Sequence, residues 1–453
     1  MESWQKSLEL ARHCVAEEIA HGVPLPGEDA DLVRSGLLDS MAWIGILTAI
    51  EAAAGIHNFG NPWPAGRPQS LRALAELIVE GATAPSPGSA TRADGRSAGR
   101  GSMVCVIGWG RALGSRLIEA AGIEAECSLA PGTIRDRAGI ASVRRAGEGE
   151  DEITLAQRAA EAALEKAGVD IPEVDLLVAT STTFLRLPSL AATLHSRLLL
   201  PESSAAFDVG GACVGVVQAL ATAKGLLATG SLRHALVVAA DVPSRRLASS
   251  SAPGEFRGLF GDGSCAFVLS RLEEGQPAKS QGPDGRPLRG PGVEWRLGDF
   301  VWECAGEYAA SLKLQIPEGA PLPGFPPLQV EFQGEPLARA ALRQMERLVE
   351  NLETLTGKPR SEVAYFALHE PNPRVIEILA HRFGVTLERA TPISKTCGNL
   401  GAATCGVNLC EALAKVEASS LGSPSLPPPI ILVAAVGPGM LSGGTWVEIY
   451  SRS

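Results

Sequence analysis

The stretch 207–230, FDVGGACVGVVQALATAKGLLATG, predicts a short strand, a glycine turn that holds one cysteine, and a long apolar helix. Cys213 lies at the start of that helix, where the helix dipole and free backbone N–H groups favour a thiolate. The glycines on both sides let a substrate approach the sulfur and leave backbone donors for an oxyanion. A buried packing cysteine is the alternative for this stretch taken alone.

Outward from this junction, the large C-terminal part of the chain alternates buried strands with helices. The first series is a helix at 154–167 followed by strands at 174–180, 235–241 and 265–270, and the second is a helix at 336–355 followed by strands at 363–369, 430–436 and 445–451. The same order twice predicts an α/β protein of two duplicated halves, 103–272 and 273–453. The Gly- and Pro-rich segment 273–330 is expected to be an irregular join.

Two polar residues of the second half stand out. His369 ends a predicted buried strand in LHEPN (368–372), and Asn399 lies in TCGNLG (396–401). A core histidine and an ordinary turn asparagine are the simpler interpretations of each. Together with Cys213 they supply a nucleophile, an imidazole and an amide donor, which suits thioester chemistry.

The N-terminal 81 residues predict a small acidic helical bundle, with helices near 3–20, 40–54 and 70–80 and eleven acidic against five basic side chains. Asp39 and Ser40 precede the second helix, where an ordinary N-cap is the simplest interpretation. Residues 82–102, ATAPSPGSATRADGRSAGRGS, predict a flexible linker.

Composition excludes several classes of protein. With 45% hydrophobic and 20% charged residues the chain can build a large core, and its net charge of −10 gives no support to nucleic-acid binding. The best apolar run, 430–436, is too short to cross a membrane. The N-terminus does not resemble a signal peptide, and the nine cysteines show neither a C-x-x-C nor a zinc spacing. We therefore expect a cytoplasmic protein without a metal.

Four spaced motifs make residues 103–453 resemble the thiolase-fold ketoacyl synthases of the β-ketoacyl-ACP synthase III type. They are FDVGGACVG (207–215), LFGDGSCAFVL (259–269), HEPNPRV (369–375) and CGNLGAAT (397–404). DRAGI (136–140) and GPGMLSGG (437–444) extend the match. The resemblance implies a layered αβαβα fold and places the catalytic roles of the family on Cys213, His369 and Asn399.

That resemblance also implies a reaction. Cys213 would accept an acyl group from a carrier protein or from coenzyme A, and a malonyl-type thioester would then lose carbon dioxide between His369 and Asn399 and attack the acyl-cysteine. The acyl oxyanion is expected near Gly437 or Gly439, since Pro438 has no N–H.

Other positions that the resemblance singles out concern substrates and partners. Leu187 falls where the family limits the acyl pocket across a homodimer. Arg137 is the motif arginine, and Thr133 replaces the tryptophan that would hold an adenine, so the donor is expected on a carrier. Arg245, Arg246 and Arg257 are candidates for a basic rim that receives it.

Residues 1–81 resemble the acyl carrier proteins. The serine of the carrier motif falls on Ser40, which implies a covalent 4'-phosphopantetheine added there by a phosphopantetheinyl transferase. No metal is implied.

One departure from the family pattern and two rival functions stay open at this stage. Glu370 stands where the family has glutamine, and it could raise the pKa of His369 if it were close. Acyl transfer to an oxygen or nitrogen nucleophile without decarboxylation is one rival. A thioesterase is the other, because Cys213, Asp262 and His369 follow the order of an α/β-hydrolase triad. A dinucleotide site at Gly108, Gly110 and Gly114 fails on spacing.

Overall fold

A computed structural model describes residues 2–19, 24–35, 37–38, 40–54, 56, 68–81, 103–248, 250–272, 293–309, 312–315, 329–332, 334–390, 392–420 and 429–451. The chain divides into two compact units, Met1–Gly99 with Gln333–Arg339 and Arg100–Phe332 with Ala340–Ser453. The proposed linker 82–102, Asp39 and the side chain of Ser40 lie outside the described residues.

The first unit contains three helices, α1 (Glu2–Glu18), α2 (Ser40–Ala54) and α3 (Leu71–Gly81). Their apolar faces meet in a core that includes the fully buried Trp43 and Leu74. Each such side chain contributes about 2 kcal/mol or more by leaving water. Ser70 caps α3, since its Oγ accepts a hydrogen bond from the N–H of Ala73 at 3.3 Å.

The rest of the chain alternates strands and helices. The strands are β1 (Met103–Leu113), β2 (Arg116–Glu119), β3 (Ser142–Arg145), β4 (Leu176–Thr180), β5 (Ala205–Asp208), β6 (His234–Asp241), β7 (Gly263–Leu272), β8 (Val293–Leu297), β9 (Val301–Cys304), β10 (Leu312–Gln315), β11 (Gln329–Phe332), β12 (Val363–Leu368), β13 (Ile430–Gly437) and β14 (Leu441–Ser451). The helices are α4 (Ala120–Glu126), α5 (Glu152–Ala167), α6 (Leu190–Leu198), α7 (Gly215–Ala228), α8 (Pro243–Ala248), α9 (Gly254–Arg257), α10 (Gly334–Thr356), α11 (Pro373–Phe383), α12 (Ser394–Cys397) and α13 (Thr404–Ser420).

The main sheet shows the predicted duplication. In the first half β4 pairs parallel with β6, β6 antiparallel with β7, and β7 antiparallel with β1. In the second half β12 pairs parallel with β13, β13 antiparallel with β14, and β14 antiparallel with β8. The pairing of β1 with β8 joins the halves.

The expectation of an irregular join at 273–330 is wrong for part of that segment. Its described residues include β8, β9, β10 and the start of β11, and Trp295 of β8 packs edge-on against Trp109 of β1 with ring centroids 5.5 Å apart. The prediction rested on the Gly and Pro content of the segment. It missed short alternating runs of residues that form strands only because they pair with other strands in the folded protein.

Helices α7 and α13 occupy equivalent places in the two halves and pack against each other in one buried core. Each follows a glycine-containing turn, the first with Cys213 and the second with Asn399. The duplication therefore sets these two residues at corresponding positions.

Gly108 and Gly110 serve packing. A Cβ on either would lie 2.3 Å from a carbonyl oxygen of α5, so only glycine lets β1 and α5 approach this closely. Among the described helices, none is both long enough and apolar enough to span a bilayer.

Candidate active site

Cys213 lies in a short 3₁₀ turn between β5 and α7, and the turn is tight. Gly211 has φ +134°, and Ala212 adopts φ +49° although alanine rarely occupies the left-handed region. Such a conformation costs on the order of 1–2 kcal/mol, which the surrounding structure must offset. The result is a half-buried cysteine two residues before the start of α7.

The thiol of Cys213 is not ionised at rest. Burial, together with the nearby charge of Asp241, raises its pKa to about 12. The backbone hydrogen bond at Cys213 lowers the pKa, in the direction expected at a helix start, but burial and Asp241 outweigh it. Proton removal must accompany the attack of the sulfur on a thioester.

Gly437, at the end of β13, lies directly against Cys213. A Cβ at position 437 would be 3.2 Å from the Cys213 Cβ and 3.4 Å from its backbone nitrogen. Gly439, in the following 3₁₀ turn, has φ +76°. The predicted oxyanion loop is thus adjacent to the nucleophile, and a side chain at 437 would crowd the acyl-cysteine.

His369 follows β12 and is anchored to β13, since its N–H donates to the carbonyl of Ala434 at 2.8 Å. Burial lowers the pKa of its imidazole to about 4, so the ring is neutral at physiological pH. Its Nδ1 is buried and has no hydrogen-bond partner among the described residues. A buried N–H without an acceptor is costly, which favours the tautomer that carries its proton on Nε2.

Asn399 is fixed at both its backbone and its side chain. Its N–H donates to the carbonyl of Leu259 at 2.8 Å, and its own carbonyl accepts from Gly261 at 3.0 Å. The side-chain Oδ1 accepts from the N–H of Gly401 at 3.0 Å and from the hydroxyl of Thr404 at 3.1 Å. Two donors at Oδ1 identify the oxygen end of the amide, so Nδ2 is the end left to donate to a substrate.

Asp241, which the sequence analysis missed, connects the two halves beside this site. The fully buried carboxylate accepts hydrogen bonds from residues of both halves of the duplicated fold. The donors are Ser181 Oγ at 2.8 Å, Thr182 N at 2.6 Å, Thr182 Oγ1 at 2.7 Å, Thr183 N at 3.1 Å, Thr183 Oγ1 at 3.3 Å and Ala402 N at 2.7 Å. An aspartate that ends the apolar run ALVVAAD (235–241) was the available signal.

The structure brings the predicted residues together through these neighbours. The turn of Cys213 packs against the turn 401–403 that follows Asn399, and against β13, which anchors His369. All three residues therefore border one region at the ends of strands from both halves. A neutral donor pair opposite a thiol can stabilise an oxyanion without repelling it.

Glu370 does not act on His369 as the sequence suggested. Its carboxyl group instead accepts hydrogen bonds from Ser394 and Asn408. The pKa of His369 is lowered by burial. The condition under which Glu370 would raise the pKa of His369 is therefore not met.

The residues predicted to meet substrates and partners differ in exposure: Leu187, Arg137 and Arg245 are exposed, Arg246 and Arg257 are half-buried, and Gly437 is buried. Leu187 is 92% exposed, and Arg137 and Thr133 lie in one short π-helical turn, 133–137. Arg245 is less available than expected, since its guanidinium donates to the carbonyls of Gly147 and Glu150. Among the described residues, no cluster of His, Cys, Asp and Glu could hold a metal ion.

Family models match both halves of this site. One described as 3-oxoacyl-[acyl-carrier-protein (ACP)] synthase III covers residues 207–281, and its C-terminal counterpart covers residues 355–449. The first includes Cys213, and the second includes His369 and Asn399.

Curated relatives carry the same description. The β-ketoacyl-[acyl-carrier-protein] synthase III of Ruegeria sp. (strain TM1040) is 30% identical over 339 residues, which are 75% of this chain and 96% of the relative. That of Rhodospirillum centenum is 30% identical over 346 residues, 76% of this chain and 98% of the relative.

Solved structures share the fold. The priming β-ketosynthase of the R1128 polyketide pathway matches with a TM-score of 0.64 at 23% identity, over 78% of this chain and 98% of its own. The 3-oxoacyl-(acyl carrier protein) synthase III of Pseudomonas aeruginosa PAO1 matches with a TM-score of 0.62 at 24% identity, over 76% and 98%.

Fold and site together define a condensing transferase of the ketoacyl synthase class. The chain belongs to the β-ketoacyl-ACP synthase III family.

Proposed function

We propose that this chain catalyses the decarboxylative condensation of an acyl thioester with a carrier-bound malonyl-type thioester, in fatty-acid-like or polyketide biosynthesis. Membership of the family supports this reaction. The observation that carries the proposal is the fixed amide of Asn399, whose oxygen is engaged by Gly401 and Thr404 while Nδ2 can donate to an enolate.

The first half-reaction loads Cys213. The thiol attacks the acyl carbonyl of the donor, its proton passes to the leaving pantetheine sulfur, and the C–S bond of the donor breaks. The products are the acyl-cysteine and a free pantetheine thiol. The high pKa of Cys213 supports this concerted loss of the proton.

The second half-reaction forms the carbon–carbon bond. The malonyl carboxylate leaves as carbon dioxide, and the electron pair of the broken bond passes to an enolate whose oxygen lies between His369 and Asn399. The enolate carbon attacks the acyl-cysteine, the cysteine sulfur leaves, and the sulfur regains a proton from solvent. Two neutral donors supply the charge stabilisation, since His369 is uncharged and an amide does not titrate.

We propose that residues 1–81 form an acyl carrier domain that carries 4'-phosphopantetheine on Ser40, added by a phosphopantetheinyl transferase. Ser40 is the first residue of α2 in an acidic three-helix unit, and a helix start suits a phosphate ester. When attached, the group supplies a mobile thiol that holds a thioester. About a quarter of the chain lies outside the match to the curated relative from Ruegeria, which leaves room for such a domain.

We also propose a homodimer in which Leu187 meets the partner subunit. Its side chain is 92% exposed on the single chain, and Leu185 beside it is 50% exposed. Two large apolar side chains exposed two residues apart favour a protein contact.

A thioesterase has less support. A thioesterase triad would need a carboxylate hydrogen-bonded to Nδ1 of His369. Among the described residues, no group forms a hydrogen bond with that nitrogen. Asp262 is engaged with Ala146 and Ser244.

The test is malonyl-dependent release of carbon dioxide. We expect His369→Ala and Asn399→Ala to slow release about a hundredfold or more while Cys213 is still acylated. Asn351→Ala on α10, a matched asparagine away from the site, should leave the rate unchanged. Acyl transfer to an added alcohol or amine without any release of carbon dioxide would replace condensation by simple acyl transfer.

A further inference from the structure

A closed polar cluster lies next to His369. Glu370 is fully buried, and its Oε1 accepts hydrogen bonds from the N–H of Ser394 at 3.1 Å and from Nδ2 of Asn408 at 3.0 Å. Asn408 also donates to the carbonyl of Leu368 at 2.8 Å. The carboxyl group thus ties the end of β12, which bears His369, to α12 and α13, the helices on either side of Asn399.

Three oxygens of this cluster have no hydrogen-bond partner among the described residues. They are Oε2 of Glu370, Oγ of Ser394 and Oδ1 of Asn408, and all are buried. Both N–H bonds of Asn408 are already used, which fixes its Oδ1 as an acceptor.

The donor count favours a protonated acid. With a carboxylate, the hydroxyl of Ser394 can donate to only one of two acceptors, Oε2 of Glu370 and Oδ1 of Asn408, and leaves the other unpaired. A carboxylic acid adds a second proton on Oε2, which can be donated to Asn408 or Ser394. Buried acceptors without donors cost free energy, so the protonated form suits the cluster better.

We propose that Glu370 is a positioning residue that works as a neutral carboxylic acid, holding His369 against the Asn399 side of the site without placing a negative charge beside the enolate. This role rests on the condensation reaction proposed above. A charge in a buried site acts strongly on a developing oxyanion, because the surroundings screen it poorly.

The surroundings of Glu370 agree with a neutral form. Burial raises the pKa of its carboxyl group to about 7, against the opposing hydrogen bonds from Asn408, Ser394 and the backbone of Ile393. The elements that pack around it carry these titratable and charged side chains: Tyr365 and His369 on or after β12, Arg374, Glu377, His381 and Arg382 on α11, Glu388 and Arg389 on the turn 387–390, Lys395 and Cys397 on α12, and Cys405, Cys410, Glu411, Lys415 and Glu417 on α13. His369 is neutral, Cys405 has a pKa raised to about 12, Arg374 pairs with Glu377, and β13 carries no titratable side chain.

The first readout does not depend on activity. Infrared difference titration of the full chain should show a carboxylic-acid carbonyl band at pH 6 that is lost by pH 8.5, and the band should be absent from Glu370→Gln. A band assigned to Glu370 that is already lost at pH 6 would overturn the proposal.

The second readout is the pH profile of carbon dioxide release from malonyl-coenzyme A. In the wild-type protein we expect the rate to fall about tenfold or more between pH 6 and 8.5 as Glu370 ionises. Glu370→Gln, whose amide donates in place of the acid proton, should keep the pH 6 rate at both values. Glu370→Ala should be slow at both, because Ser394 and Asn408 then lose their acceptor, and Glu353→Gln on α10 should follow the wild type.

The outcomes separate the two proposals. A wild-type profile that matches Glu370→Gln would overturn the role of Glu370 alone. No release of carbon dioxide at any pH, by any variant, would overturn the condensation reaction and with it this role.

Discussion

His369 and Cys213 both rest in their uncharged forms, and burial is the main cause for each. A neutral imidazole can donate its Nε2 proton to an oxyanion, and a neutral thiol can pass its proton to the leaving pantetheine sulfur. A preformed thiolate and imidazolium pair would serve acylation but would leave His369 charged when the malonyl group binds. The neutral pair fits both half-reactions.

The neutral state of His369 should be visible in the pH dependence of stability. Its pKa falls from 6.5 to about 4 on folding, so below pH 6.5 the unfolded chain takes up a proton that the folded protein does not. Stability is therefore lost as the pH falls from about 6.5 to 4, by about 3 kcal/mol.

Denaturant unfolding of wild type and His369→Gln between pH 4 and 7 measures this loss. We expect the stability of the wild type relative to the glutamine variant to fall by that amount at pH 4. A difference that does not change with pH would show that folding does not lower the pKa of His369.

At the scale of elements, the site is built from turns that fix one another. The turn 399–404 is held by Leu259 and Gly261 on its backbone, by Asp241 at Ala402, and internally by Thr404. The hydroxyl of Thr404 donates to Asn399 and accepts the N–H of Leu400 at 2.9 Å. Asn399 is thus oriented by its own turn.

Replacing Thr404 by valine tests this orientation. The change keeps the shape, removes the donor at Asn399 and leaves the N–H of Leu400 unpaired. We expect the rate of decarboxylation to fall about tenfold and the rate of Cys213 acylation to change less than twofold. The free energy of unfolding should fall by about 1–3 kcal/mol.

Thr445→Val is the matched control. Thr445 is equally buried, and its hydroxyl donates to the carbonyl of Gly298 at 3.0 Å, away from Asn399. It should lose similar stability with unchanged decarboxylation. Equal losses of activity in both variants would mean that Thr404 acts through stability alone.

The sequence was informative where one local pattern determines one local structure. The glycines around Cys213, the periodic helix α5 and the apolar strand β13 predict their own conformations, and the repeated order of elements predicts the duplication. The sequence was not informative where contacts between residues far apart in the chain determine the structure. The six donors to Asp241 come from segments up to 161 residues away, and the raised pKa of Cys213 depends on packing that no local pattern records.

At the scale of the whole molecule, the proposal joins a carrier unit to a synthase unit through 82–102. If this segment is a flexible linker, its 21 residues give a root-mean-square span of roughly 25 Å. Tethering of this kind raises the effective concentration of a carrier to about the millimolar range.

Cutting the chain within 82–102 tests the tether. We expect turnover at low micromolar concentration to fall when the units are separated and to recover partly with excess holo-carrier fragment. Ser40→Ala should abolish the phosphopantetheine adduct, whereas Ser35→Ala, in the same unit, should not. Equal rates for cut and intact protein would show that the N-terminal unit serves another enzyme.

The most direct test of the account is to locate the acyl group after the protein is incubated with an acyl thioester. Proteolysis and mass spectrometry should find the acyl mass on the peptide that contains Cys213, and Cys213→Ala should lose it while Cys304→Ala, at an exposed cysteine, keeps it. Addition of a malonyl thioester should then discharge the acyl group with release of carbon dioxide. An acyl adduct that persists on the synthase unit of Cys213→Ala would contradict the assignment of the nucleophile and the mechanism built on it.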